Sequence, residues 1–275
     1  MTSPASRGTL GSWQGGERTP SPGTPRAASL SRLQENRSEL LERVARCLRD
    51  GGRDPASVRI VAITKEVSPI HAAELFDLGT GDLGENRAEG LEEKRRWFDE
   101  QGLTARWHFV GHLQRNKARR VLCLSDEIHS VDSLALLESL QRIALEERRF
   151  PGIYLQVKLV DEPSKSGLAP AELPELCERA AAGPLPLVGL MTIAPLVEDP
   201  AEAHSAARRV FEGVAALARQ VPSAAFAGGR PRLSMGMTQD FEEALRAGAD
   251  VLRIGSAFFE GLEDVVASRR ARNGR

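Results

Sequence analysis

From residue 31 onward, short apolar runs rich in β-branched side chains alternate with segments whose apolar residues recur at helical spacing. The apolar runs fall at 58–64, around Leu83, and at 107–110, 128–131, 153–160, 187–192, 232–235 and 251–254. Between them lie helical patterns at 70–78, 87–98, 115–122, 133–147, 171–182, 201–220 and 239–247, and a short helical segment at 257–261 follows the last run. A leading helix, patterned on Leu33, Leu40, Leu41, Val44 and Leu48, stops at Gly51-Gly52. Continuous apolar runs of this length mark strands buried on both faces, and helices between them are the crossovers that parallel strands need. Eight such units predict a single α/β domain, a (β/α)8 TIM-type barrel. A doubly wound open sheet that binds a dinucleotide would carry a glycine-rich turn after its first strand. Here that strand ends Ile63-Thr64-Lys65.

The barrel pattern predicts a domain at 31–265, flanked by a tail at 1–30 and a basic tail at 266–275. Of the first 30 residues, 18 are Gly, Pro, Ser or Thr. A stretch so poor in apolar side chains is expected to be disordered, and it lacks the apolar centre of a secretory signal. The 37 basic and 38 acidic side chains nearly cancel, so no general attraction to nucleic acid or anionic membrane is expected. Three widely spaced cysteines exclude a disulfide scaffold and fit a cytoplasmic chain, and no apolar run approaches a membrane span.

Barrel chemistry gathers at the C-terminal ends of the strands. Those ends carry Lys65, Gly84-Glu85-Asn86-Arg87, Gly111-His112, Asp132, Lys165 with Gly167, Met191-Thr192, Ser234-Met235-Gly236-Met237 and Arg253-Ile254-Gly255-Ser256. Lys65 follows Ile60-Val-Ala-Ile-Thr64, which reads as a wholly buried strand, and a desolvated stem would favour the neutral, nucleophilic amine that Schiff-base chemistry needs. Gly255 and Ser256 follow the last strand, where barrels often hold phosphate, and Ser234 offers a second hydroxyl from the strand before. Arg253 shares a face with Gly255 by the period of two and needs an acceptor inside the barrel mouth. An imine-forming lysine, a phosphate cup and an arginine between them describe a site for pyridoxal 5'-phosphate.

Rival chemistries are weaker. His108 and His112 lack the glutamate that a zinc-protease helix carries after its first histidine, so one of them reads as a core or pocket histidine and no metal is expected. Arg115, Lys117, Arg119 and Arg120 lack interleaved aromatics and read as a solvated helix face. A Schiff-base aldolase on the same barrel would not need Arg253 beside the phosphate.

The ordered segments Ala62-Ile-Thr-Lys65, Gly84-Glu-Asn-Arg87, Trp107-His-Phe-Val-Gly-His-Leu-Gln-Arg-Asn-Lys117, Ile128-His-Ser-Val-Asp132, Gly189-Leu-Met-Thr-Ile193, Leu233-Ser-Met-Gly-Met237 and Arg253-Ile-Gly-Ser256 resemble the pyridoxal phosphate homeostasis protein family. The resemblance covers about residues 33–262. It implies the fold of the N-terminal barrel of alanine racemase (pyridoxal phosphate fold type III) without the C-terminal β domain. It also implies pyridoxal phosphate as a Schiff base on Lys65, phosphate at Ser234, Gly255 and Ser256, and Arg253 facing the pyridine nitrogen. Asn86 and His112 would line the pocket. The chain departs from the family in having Glu66 after Lys65, Ser256 where threonine is common, and the extra N-terminal stretch.

Racemases of this fold use a lysine and a tyrosine on opposite faces of the substrate carbon. Here the chain ends soon after Arg253, and its single tyrosine, Tyr154, opens a strand and so lies toward the wrong end of the barrel. The expectation is a non-catalytic carrier or buffer of pyridoxal phosphate serving vitamin B6 and amino- and keto-acid homeostasis. The alternative is an enzyme with weak amino-acid racemase activity. Pyridoxal phosphate-dependent apoenzymes are candidate partners, and a monomer is expected, with a dimer as the alternative.

Overall fold

The computed structural model describes residues 25–159, 166–195 and 197–262. Its strands are β1 (Arg59–Ile63), β2 (Asp82–Glu85), β3 (Arg106–Phe109), β4 (Glu127–Val131), β5 (Gly152–Gln156), β6 (Leu187–Met191), β7 (Arg232–Ser234) and β8 (Val251–Ile254). All pair in parallel and in chain order, and β1 closes the barrel against β8 from Arg59↔Val251 to Ala62↔Ile254. The helices are α1 (Pro25–Asp50), α2 (Pro69–Asp77), α3 (Ala88–Glu100), α4 (Ala118–Leu124), α5 (Leu134–Glu147), α6 (Leu173–Ala181), α7 (Pro200–Ala218) and α8 (Phe241–Arg246).

Local chemistry explains several boundaries. Asp199 caps α7 by accepting from Glu202 N at 2.9 Å, with Pro200 at the first helical position, where no N–H is needed. Ser133 caps α5 in the same way. The long α1 buries Leu33, Leu40, Val44 and Leu48, lies against α8, and ties down the chain after β8 through Asn36, which donates to Phe258 O and Glu260 O. The main core lies between the sheet and the helices. It is built from the outward residues of the strands, such as Leu83, Trp107, Ile128 and Leu190. A separate interior cluster holds Val61, Tyr154, Met191 and Val251, with Ile63 and Val188 against it.

Four expectations change. The helix begins at Pro25, so residues 25–30 do not belong to the tail; Arg26 pairs with the nearly buried Glu74 at 3.1 Å and anchors that first turn. The rest of that tail and the stretch at 266–275 lie outside the described residues. The run at 153–160 is a strand only to Gln156, because the returning chain then pairs Leu168 with Val157. Residues 115–117 form a 3-10 turn before α4. The segment after β8 is a 3-10 turn, Ser256–Phe259, too short to sum its peptide dipoles into a useful charge, so any anion there rests on individual donors.

Candidate functional site

At the C-terminal mouth, the site residues are brought together by strand register. Ile63 pairs with Gly84, and Gly255 approaches Ile63 on the other flank, where an added Cβ would lie 3.4 Å from the Ile63 Cβ. Two residues further on, Lys65 therefore emerges between the chain at Asn86 and the turn at Gly255 and Ser256. Lys65 is exposed, contrary to the expected desolvated stem: β1 ends at Ile63, and the buried Thr64 is the last residue sealed in the wall. Its position on the rim, between Asn86 and the turn after β8, is what singles out Lys65.

The wall beneath it is rigid. Lys94 donates to Glu85 Oε1 at 2.5 Å and Thr64 Oγ1 donates to the same oxygen at 2.7 Å, with the ion pair fully buried. This cluster ties the end of β1 to the end of β2 one residue short of both Lys65 and Asn86. Asn86 is half-buried, and its backbone closes on Gly111, where a Cβ would sit 2.0 Å from Asn86 O; only glycine fits there. His112 is exposed, and its Nδ1 lies 3.1 Å from Asp132 Oδ2 and 3.0 Å from Ser166 Oγ. Lys165 lies outside the described residues.

Across the mouth, Gly236 turns the chain out of β7 at φ +92°, and its carbonyl accepts from Arg253 N at 2.9 Å. Thr238, half-buried, reaches the turn after β8, where Ala257 N donates to its Oγ1 at 3.3 Å, beside the exposed Ser256. Arg253 is buried and donates through Nη1 to Ser234 Oγ and through Nη2 to Thr192 O, both at 2.9 Å. Burial pulls its guanidinium down to about 10, with the Asp240 carboxylate as its main electrostatic support. Burial in turn raises the Asp240 carboxyl.

Sequence reasoning missed the polar filling of the barrel. Asp82, Glu127, His129 and Tyr154 sit inside it on β2, β4 and β5, beside His108 on β3, whose burial fits the expected core or pocket histidine. The period of two was the available signal, since Asp82, Arg106–His108 and Glu127–His129 recur on the inward face. Burial drives the His129 imidazole down to about 3, so it is neutral, and its ring stacks on Tyr154 at 4.2 Å. Burial opposes ionisation of Glu127, but its polar surroundings, with Arg59 as a permanent charge, outweigh it and hold the carboxyl well below the usual range. His108, Glu127 and His129 bring three ligating atoms within 4.8 Å of one another. Hydrogen bonds already engage both rings, and Arg59 and Arg106 hold Glu127 Oε1 at 2.9 and 3.1 Å, an arrangement that opposes a further cation.

The family described as alanine racemase, N-terminal domain, matches residues 41–262. The pyridoxal phosphate homeostasis protein of Escherichia coli (strain K12) is 34% identical over 232 residues, which are 84% of this chain and 97% of that protein. The chain belongs to the pyridoxal phosphate homeostasis protein family. A second member, from Aquifex aeolicus (strain VF5), is 32% identical over 82% of this chain and 96% of its own length. The structure of PipY from Synechococcus elongatus PCC7942 with pyridoxal phosphate bound superposes with a TM-score of 0.68 at 33% identity, covering 82% of this chain and 99% of that one. D-threonine aldolase from Filomicrobium marinum, at 15% identity and a TM-score of 0.64, shares the fold. Among the described residues of this family member, no helix is long and apolar enough to cross a membrane.

Proposed function

We propose that this protein binds pyridoxal 5'-phosphate as a Schiff base on Lys65 and carries or buffers it, supplying pyridoxal phosphate-dependent apoenzymes and so keeping vitamin B6 and amino- and keto-acid pools in balance. The observation that carries the reading is the buried Arg253 guanidinium one strand away from Lys65, on the pair β1 and β8. The bound group would bring an aldehyde for the lysine, a dianionic phosphate and a ring nitrogen. The residues fit each part. Lys65 is an accessible amine; Gly255, Ser256 and the neighbouring Thr238 hydroxyl offer donors for the phosphate; Arg253 offers a cation to the ring nitrogen. A cation there opposes protonation of that nitrogen and weakens the ring as an electron sink, which suits a carrier. Asn86 and His112 line the same mouth.

Tyr154 also favours a carrier. It is sealed inside the barrel, its hydroxyl donates to Glu127 Oε2 at 3.1 Å, and burial with that carboxylate raises its phenol far above the ordinary value. It cannot act as a second base. The specific observation for weak racemization is the His112–Asp132 pair, an oriented imidazole at the mouth. Borohydride reduction followed by peptide mapping tests the covalent site: the adduct is expected on Lys65 and is lost in Lys65→Ala, whereas trapping on Lys158 or Lys165 refutes the assignment. Alanine incubated in deuterated water is expected to exchange its α-proton no faster than with free cofactor. Racemization abolished by His112→Ala would make the protein an enzyme.

A further inference from the structure

A continuous line of hydrogen bonds runs through the barrel from the N-terminal opening to Arg253. Asp82 Oδ1 lies 2.9 Å from His108 Nε2, His108 Nδ1 lies 3.0 Å from His129 Nε2, and His129 Nδ1 lies 2.8 Å from Ser234 Oγ. Arg253 Nη1 closes the line on the same Ser234 oxygen at 2.9 Å. Both histidines and Ser234 are 0% exposed. Only Asp82, with 27% of its side chain exposed, touches water at the far end.

The two ends set the direction of every proton. A guanidinium only donates, and a carboxylate only accepts. The Asp82 end therefore requires hydrogen on His108 Nε2. At the other end the neutral His129 carries a single proton, and with its Nδ1 facing the Ser234 hydroxyl that proton lies on Nε2 and is donated to His108 Nδ1. His129 is left with a bare Nδ1, and the Ser234 hydroxyl donates to it while its oxygen accepts from Arg253. Each donor in this line has one acceptor. Reversing the His129 tautomer would set two bare nitrogens facing each other at 3.0 Å and leave the Ser234 proton without an acceptor in the line.

We infer that Asp82, His108, His129 and Ser234 form a barrel-spanning positioning line that holds the Arg253 guanidinium in place, with Ser234 committed to Arg253 and not to phosphate. The inference rests on the reading that Arg253 faces the ring of a bound pyridoxal phosphate. It replaces the expectation of Ser234 as a phosphate donor, because its proton points into the barrel at His129 and its oxygen is occupied by Arg253. Thr192 O holds the other guanidinium nitrogen, so the line and β6 fix both halves of the fork. The groups facing the line are Glu127, which lies 3.5 Å from His108 and 3.7 Å from His129, the Tyr154 ring, Arg59 and Arg106, which lie 3.6 and 3.9 Å from Asp82, and the Asp240 carboxylate that supports Arg253. Asp82 thus sits at the opposite mouth from Lys65 and still acts on the cofactor end.

The test measures the affinities of pyridoxal phosphate and of pyridoxal, together with the pH midpoint of the bound cofactor's absorbance. Ser234→Ala is expected to weaken both ligands by a similar factor, roughly tenfold for a lost bond to a charged group, and to move the midpoint. Ser256→Ala is expected to weaken the phosphorylated ligand alone. Asp82→Leu moves the same midpoint from the far mouth, and Asp82→Asn, whose amide oxygen still accepts from His108, restores it. A Ser234→Ala loss confined to pyridoxal phosphate overturns the inference, as does an Asp82→Leu protein that folds, binds cofactor and keeps the original midpoint. If Asp82→Leu fails to fold, the Ser234→Ala comparison decides alone. Failure of the unmutated protein to bind pyridoxal phosphate would instead refute the underlying function.

Discussion

The neutral imidazole of His129 makes the fold acid-sensitive above the range where carboxylates titrate. Burial lowers His129 from 6.5 to about 3. Between those values the unfolded chain binds a proton at this ring and the native state does not. Unfolding therefore takes up a proton, and acid favours it; the contribution is fully present above the unfolded value and is lost as pH falls toward the folded one. Lowering the pH from 7 to 5 costs about 2 kcal/mol at this residue. His71 is also held below its ordinary value by burial and adds to the total, so the measurement must isolate His129. Urea unfolding at both pH values, compared between the unmutated protein and His129→Gln, is expected to show the pH-dependent loss shrinking by about that amount in the variant. Native-state imidazole chemical shifts supply a second readout and should show His129 neutral throughout this interval. A native His129 that titrates near its unfolded value, or a variant with the same loss, would refute the reasoning.

Two further outcomes follow from the walls of the site. Lys94→Met leaves the buried Glu85 carboxylate without its ammonium and is expected to cost about 3–5 kcal/mol in urea unfolding, with partial recovery when Glu85→Leu is added. Gly236→Ala forces φ +92° on an L side chain and places its Cβ 2.6 Å from the Ala244 Cβ; a loss of about 2–5 kcal/mol is expected, and one below about 1 kcal/mol would show that the turn relaxes.

The barrel was legible because its cause is local and periodic. Eight buried runs separated by amphipathic segments leave parallel strands with helical crossovers as the arrangement that satisfies every backbone group, and the order β1 to β8 follows the chain. The mouth was legible for the same reason: Lys65, Asn86, His112, Gly255 and Ser256 each follow an apolar run, and closure puts such positions on one rim. Element ends were less legible. Arg26 in the first turn of α1 meets Glu74, 48 positions away, and Leu168 returns to pair with Val157 beyond the end of β5; neither contact is visible in a local pattern.

Burial and proton direction were decided by tertiary structure alone. Whether Lys65 is sealed or exposed depends on where neighbouring strands stop, which no single run encodes. Asp82, His108, His129, Ser234 and Arg253 come from five different strands, and their hydrogen bonds exist only once the barrel closes. The sequence could say that these residues share the inward face, by the period of two. Only closure sets their height along the barrel axis, and that height determines which atom meets which. The residue types bounded the chemistry of the site; the three-dimensional register brought the Ser234 hydroxyl against the Arg253 guanidinium and the His129 ring.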